Sequence, residues 1–168
     1  YKKLFTQCSK LMLNIVSHKK PVIAKIHGAA FAAGCQLVAS CDLAYCEKNS
    51  LFATPGVNIG LFCSTPMVAI SRKVNNKAIM EMLLTGKPIN AKHAKDIGLI
   101  NDFFSKRFLE KEVFKIASII SSKSNLVLGI GKNAFYKQRE MSIKKAYAYT
   151  SKIMTENMMK NDAIEGIN

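Results

Sequence analysis

A run of small residues, Gly28-Ala29-Ala30-Phe31-Ala32-Ala33-Gly34, follows a short apolar segment and leads into a stretch with helical spacing from Cys35. Such a run lets a backbone approach a ligand closely, and the start of the helix adds positive potential suited to an oxygen gaining negative charge. The same residues also permit close packing of a helix on a strand, so both readings stand at this point. Gln36 lies just inside that helix. A carboxamide can orient a water or a ligand, but it has no useful titration near neutral pH. Further along, Asn58, Cys63 and Ser64 sit on a segment punctuated by Pro55-Gly56 and Gly60. Cys63 reads as a packed thiol, because neither a positioned histidine nor a flanking cation is evident to activate it. The three histidines, His18, His27 and His93, pair with no Cys or Ser at a telling spacing, and no His/Cys/Asp cluster marks a metal site.

The elements that must position these groups follow from composition and pattern. With 168 residues and 49% apolar positions, the chain can bury about two-thirds of its unfolded surface as one globular domain. No apolar run reaches the roughly 18 residues of a membrane span, and the segment 21–43 is interrupted by Lys25, His27, Gln36 and Asp42. Cys8, Cys35, Cys41, Cys46 and Cys63 are an odd number without CxxC spacing, which reads as free thiols in a reducing compartment. The formal charge of +14 attracts phosphates of nucleic acids, anionic lipids or phosphorylated cofactors. Only Arg72, Arg107 and Arg139 are arginines, and the lysines are scattered with no aromatic-basic motif, so composition alone accounts for that charge and argues against a dedicated nucleic-acid surface.

Residues 1–17 place Leu4, Phe5, Cys8, Leu11, Met12 and Ile15 on one helical face. A buried strand is expected at 22–26, a helix at 35–41 and a second strand at 42–46, a βαβ unit that favours a parallel sheet. Strand and turn are expected over 50–60, helices over 65–73 and 76–85, and a helix at 91–97 capped by Asn90. A strand over 99–104 precedes helices at about 107–121, 124–138 and 142–160. The resulting division is an α/β core, residues 1–104, followed by a helical region, residues 105–168.

Four stretches in order carry a family resemblance. They are Lys20 to Leu37 with Ser40-Cys41-Asp42-Leu43-Ala44; Phe52-Ala53-Thr54-Pro55-Gly56-Val57-Asn58-Ile59-Gly60-Leu61; Glu81 to Ala91; and Ala94-Lys95-Asp96-Ile97-Gly98-Leu99-Ile100. Over almost its whole length the chain resembles the crotonase, or enoyl-CoA hydratase/isomerase, family. The resemblance implies an α/β, ClpP/crotonase-type fold, a spiral of ββα turns followed by a helical region that builds a homotrimer or a hexamer. It implies an acyl-CoA or enoyl-CoA ligand, with coenzyme A entering as part of the substrate and no separate cofactor or metal. One oxyanion-hole donor maps onto the backbone N–H of Ala33. Ala29, Ala30, Phe31, Gly34, Asn58, Gly60 and Cys63 map onto the substrate-binding surface, and Ser64 onto the loop near the catalytic water. Members extend further at both ends, so the chain reads as a fragment whose targeting segment lies outside it.

The resemblance also marks a departure. The family's hydratases place two catalytic glutamates twenty residues apart, and here those places hold Gln36 and Gly56. A general acid or base is typically worth about 10²–10⁴ in rate, so the expected protein is an acyl-CoA-binding member of fatty-acid metabolism with weak or no standard hydratase activity. Two alternatives stand beside it. One is a genuine hydratase or isomerase using Gln36, Asn58 and Ser64, and the other an interaction protein whose basic surface binds RNA or anions. The home implied is the mitochondrial matrix or a bacterial cytoplasm.

Overall fold

The structure is a computed structural model describing residues 1–167. The chain forms two compact units, Tyr1–Val16 with Val22–Ala117, and Ser17–Pro21 with the residues from Ser118 onward.

The first unit begins with helix α1 (Lys2–Ser17), whose apolar stripe matches the sequence pattern but buries only Met12 and leaves Leu4 and Leu11 exposed. Strand β1 (Ile23–Ile26) leads through His27-Gly28 into β2 (Ala29–Phe31), then helix α2 (Ala33–Ser40) and β3 (Leu43–Glu47). The expected βαβ unit is present: β1 and β3 pair in parallel, Ile23 opposite Leu43 and Ile26 opposite Cys46. β6 (Asp102–Phe104) extends that sheet in parallel, giving the order β1-β3-β6.

The small-residue run contains a strand that the pattern did not mark. β2 pairs in parallel with β4 (Leu51–Ala53), which pairs antiparallel with the two-residue β5 (Ile89–Asn90) to form a second sheet. Alanine is a poor strand former, so Ala29-Ala30 gives no β signal, and the pairing comes from the partner strand. After β4 the chain tightens into a 3₁₀ turn, Pro55–Ile59, that ends on Gly60 at φ 74°. Pro55 sets the first position of that turn, and Gly60 supplies the left-handed backbone that stops it.

Helix α3 (Ser64–Ile70) and helix α4 (Asn76–Thr85) follow, the latter capped at Asn75, whose side chain accepts from Ala78 N–H, and stopped by Gly86 at φ 62°. Helix α5 (Ala91–Asp96) starts on the expected cap, with the Asn90 carboxamide accepting from His93 N–H at 2.9 Å. Around these elements Cys35, Val38, Phe52, Ile70, Met82, Leu83, Ala91 and Ala94 form the main core. Helix α6 (Lys106–Ser121) lays Leu109 and Val113 on Tyr45 at the first sheet. Two side chains lock the sheet edges to the backbone: Asp42 accepts from Val22 N–H at 2.7 Å, and Asn101 accepts from Ala44 N–H at 2.7 Å.

β6 is pinned by an ion pair. The Lys95 ammonium donates to Asp102 at 2.8 Å and the Phe103 N–H donates to the same carboxylate oxygen, also at 2.8 Å. Lys95 holds the Asp102 carboxyl below its ordinary value of 3.8, against an opposing effect of partial burial, with the Phe103 N–H adding to the lowering. A depressed folded-state pKa contributes stability that is present above the unfolded value and is lost as pH falls through the folded one. Asp102→Asn is therefore expected to flatten the loss of stability below pH 3.8, measured as urea midpoints against pH. An unchanged acid limb in that variant would show that other carboxylates govern it.

In the second unit, helices α7 (Asn125–Gln138), α8 (Ile143–Met158) and α9 (Asn161–Ile167) pack in sequence order. Ser124 caps α7 by accepting from Val127 N–H, and its hydroxyl donates to Asp162. Lys132 ties the 17–21 segment to α7 by donating to Lys20 O at 3.1 Å. Among the described residues no single helix is long and apolar enough to cross a membrane.

Candidate functional site

The turn from β2 into α2 is the least ordinary piece of backbone in the chain. Ala32 sits at φ 48°, ψ −112°, the one described non-glycine residue with positive φ. That conformation costs of order 1–3 kcal/mol for a residue with a Cβ and persists only where its surroundings hold it. Here the Ala32 N–H donates to Ala53 O at 2.9 Å in β4, and Ala32 O accepts from Gln36 N–H at 3.0 Å in α2. The strained residue thus joins the second sheet to the first turn of the helix.

Ala33 is consequently the first residue of α2 and is exposed. Its N–H precedes the intrahelical ladder, so it is one of the donors that a helix leaves for a cap or a ligand. Ala32 offers no side-chain cap, and among the described residues no acceptor meets Ala33 N–H. At Gly34 an added Cβ would meet nothing closer than the Ala30 methyl at 3.9 Å. Close packing of helix on strand therefore does not require glycine at 34, and the space over the start of α2 stays open. Of the other small-run residues, Ala30 is buried beneath the turn, whereas Ala29 and Phe31 are exposed on the opposite face of β2.

Gln36 is only 4% exposed, so its carboxamide is held in place and not a floppy surface group. Its Oε1 accepts from the Cys8 thiol on α1 at 3.6 Å. The sequence reading put Cys8 merely on the apolar face of α1. No local signal reveals its contact, because the two residues are 28 positions apart.

Gly56 is buried, and the space where a side chain would stand is filled. An ideal Cβ there would lie 2.1 Å from Leu61 O and 2.9 Å from Cys63 Sγ. The loop is closed by Leu61 N–H donating to Gly56 O at 2.9 Å and by Gly60 N–H donating to Val57 O at 3.3 Å. The backbone of 56–63 is therefore built around a glycine, with no room for a glutamate.

The remaining sequence candidates separate. Cys63 is 6% exposed and its sulfur faces Gly56. Ser64 is exposed, and its hydroxyl donates back to Phe62 O at 3.3 Å. Asn58 is exposed and lies against Gly86 at the end of α4: a Cβ at 86 would fall 3.0 Å from its Oδ1. Gly60 is open, with nothing within 4 Å of an added Cβ. Burial pushes the Cys35 thiol up to about 12, with Cys63 adding to the rise, and burial pushes Cys46 up to about 11. Neither is a nucleophile near neutral pH. His27 meets Glu47 at 3.4 Å beyond β1, on a partly exposed edge. Among the described residues no group of His, Cys, Asp and Glu could hold a metal ion.

The arrangement can do one thing well: present a free N–H at a helix start beside a fixed carboxamide to an oxygen acceptor. It brings no ionisable acid or base to either Gln36 or Gly56.

Comparison with known proteins gives this arrangement a context. Residues 1–168 match the family model described as enoyl-CoA hydratase/isomerase. The chain is 48% identical over 165 residues to enoyl-CoA hydratase domain-containing protein 3, mitochondrial, of Homo sapiens, covering 98% of this chain and 54% of that protein. It superposes on a crystal structure of an enoyl-CoA hydratase of Mycobacterium smegmatis with a TM-score of 0.98 at 47% identity, over 99% of this chain and 65% of that one. On the human enoyl-CoA hydratase domain-containing protein 3 the TM-score is 0.96 at 48% identity, over 99% and 66%. The chain spans about half the length of the curated relatives it matches. Its two small sheets, their helices and its sequence throughout are those of the crotonase fold, and the chain belongs to the enoyl-CoA hydratase/isomerase family.

Proposed function

We propose that this chain is an acyl-CoA-binding, enoyl-CoA hydratase-like protein of fatty-acid metabolism that holds a thioester but hydrates enoyl-CoA weakly or not at all. The observation that carries this reading is the closed space at Gly56, where Leu61 O occupies the place of a side chain. Adding water to an enoyl thioester requires one group to take a proton and another to deliver one. Gln36 can do neither, and position 56 cannot be given a carboxylate without moving the backbone. Binding is supported by the opposite feature, the unpartnered Ala33 N–H over open space. A thioester oxygen accepting from that N–H leaves the acyl chain among Phe31, Leu61 and Phe62, which are exposed apolar residues.

The test pairs two measurements on the same protein. Butyryl-CoA is expected to bind, raising the melting temperature, while crotonyl-CoA hydration followed by absorbance stays near background. Rapid hydration would overturn the reading in favour of a working hydratase that uses Gln36, Asn58 and Ser64. Ala33→Pro isolates the donor, because proline is well tolerated at the first position of a helix and removes only the N–H. That variant is expected to bind butyryl-CoA about five- to tenfold more weakly by calorimetry, the worth of a hydrogen bond to an oxygen carrying partial charge. Unaltered affinity would place the thioester elsewhere.

We further infer a mitochondrial matrix home and a homotrimeric or hexameric assembly, on the strength of relatives described as mitochondrial and of the family resemblance. A bacterial cytoplasm is the alternative home. The charge of +14 supports a second reading, an RNA- or anion-binding role. Salt-sensitive RNA binding that butyryl-CoA does not displace would favour it.

A further inference from the structure

Gln36 raises a question that the acyl-CoA reading leaves open: what a buried carboxamide does at a position that carries no acid or base. Its environment gives it a polarity. A thiol is a hydrogen-bond donor and a poor acceptor, so the end of the amide that faces Cys8 Sγ at 3.6 Å is the oxygen. The nitrogen end then faces away from α1. Among the described residues Nε2 meets no acceptor, yet it is not among the sealed polar atoms without a partner, which are Ser50 Oγ, Thr54 Oγ1 and Asn157 Oδ1. The 4% of Gln36 that remains exposed therefore includes this nitrogen, which opens onto accessible space.

That space adjoins the Ala33 N–H. Gln36 stands three residues after Ala33 in α2, so the two share a helix face. Side chains in a helix lean toward its N-terminus, which tilts the Gln36 amide back over the first turn. The site thus offers two donors in line, a backbone N–H and a side-chain NH₂, and no acceptor at either place.

We propose that Cys8 holds Gln36 as a hydrogen-bond donor, and that the site thereby selects acyl thioesters carrying a carbonyl oxygen on the β-carbon, the 3-oxoacyl-CoA class. The inference rests on the thioester reading above and deepens it. The thioester oxygen accepts from Ala33 N–H and the β-oxygen accepts from Gln36 Nε2. A saturated acyl chain leaves Nε2 facing methylene groups, and an enoyl chain leaves it facing vinyl carbons, neither of which accepts a hydrogen bond. Cys8 acts through Gln36 and touches no substrate atom; it is a positioning residue. Without its donor, the amide can turn over and present oxygen to oxygen.

Calorimetric titration with acetoacetyl-CoA and butyryl-CoA tests both parts. The unaltered chain is expected to bind acetoacetyl-CoA about fivefold more tightly than butyryl-CoA, the worth of one added hydrogen bond. Cys8→Ala is expected to bring that ratio close to one, while Cys8→Ser, whose hydroxyl still donates, retains it. Gln36→Glu, whose carboxylate only accepts, loses the preference. Equal affinity for the two ligands in the unaltered chain overturns the proposed selectivity, and an undiminished ratio in Cys8→Ala overturns the role of Cys8. Failure to bind either ligand instead overturns the thioester reading itself, so the two ideas fail differently.

Discussion

Gly56→Glu, the substitution that would restore a family glutamate, is expected to destabilise the protein by about 3 kcal/mol or more and to yield no hydratase activity, alone or combined with Gln36→Glu. The cause is geometric. Even the first carbon of the new side chain would lie 2.1 Å from Leu61 O, and that carbonyl belongs to a loop held by the Leu61 N–H to Gly56 O bond at 2.9 Å. Relief requires the 56–63 backbone to move, which also displaces Cys63 and the start of α3. Overpacking of this kind typically costs about 1–3 kcal/mol before the broken hydrogen bond is counted. Gly56→Ala is the more discriminating variant, because it adds the clash without a charge. Urea midpoints for the two substitutions should fall together if sterics govern. A Gly56→Glu protein as stable as its parent, or one that hydrates crotonyl-CoA, would show that the loop opens readily and that the missing carboxylates alone explain weak activity.

The second large effect is expected at Ala32, where two substitutions should act with opposite sign. With φ at 48° and ψ at −112°, the residue lies where a Cβ is unwelcome and a β-branched side chain is an outlier. Ala32→Val is expected to cost about 2 kcal/mol or more, and Ala32→Gly to stabilise by up to about 1 kcal/mol, the relieved strain exceeding the entropy that glycine adds to the unfolded chain. Both are read from thermal or urea unfolding. The valine variant should also weaken butyryl-CoA binding, because Ala32 ties Ala53 O in β4 to the Gln36 N–H in α2 and so sets where the Ala33 N–H points. Equal stability of the two variants would mean that the turn relaxes and that its strain places nothing.

Several parts of the fold were legible before any coordinates. The β1–α2–β3 crossover, the Asn90 cap on α5 and the stop at Gly86 follow from local chemistry: a continuous apolar run, a side-chain acceptor one position before a helix, a glycine just after one. β2 was not legible, because Ala29 and Ala30 carry no strand preference and acquire it from pairing with Leu51 and Phe52. The apolar face of α1 was read correctly as a face, yet only Met12 of it is buried. Periodicity reports which residues share a side and is silent on what covers that side.

The same boundary runs through the candidate site. The sequence by itself determined the family, through four motifs in order, and determined that positions 36 and 56 carry no carboxylate, since residue type alone decides whether a group titrates near neutral pH. Only the tertiary structure decided that Gly56 leaves no space for a side chain, because Leu61 and Cys63 reach it by a turn of the backbone and not by any sequence pattern. Tertiary structure likewise decided which way Gln36 faces. That orientation depends on a thiol 28 residues away on a different helix, a contact that exists only after α1 and α2 have packed.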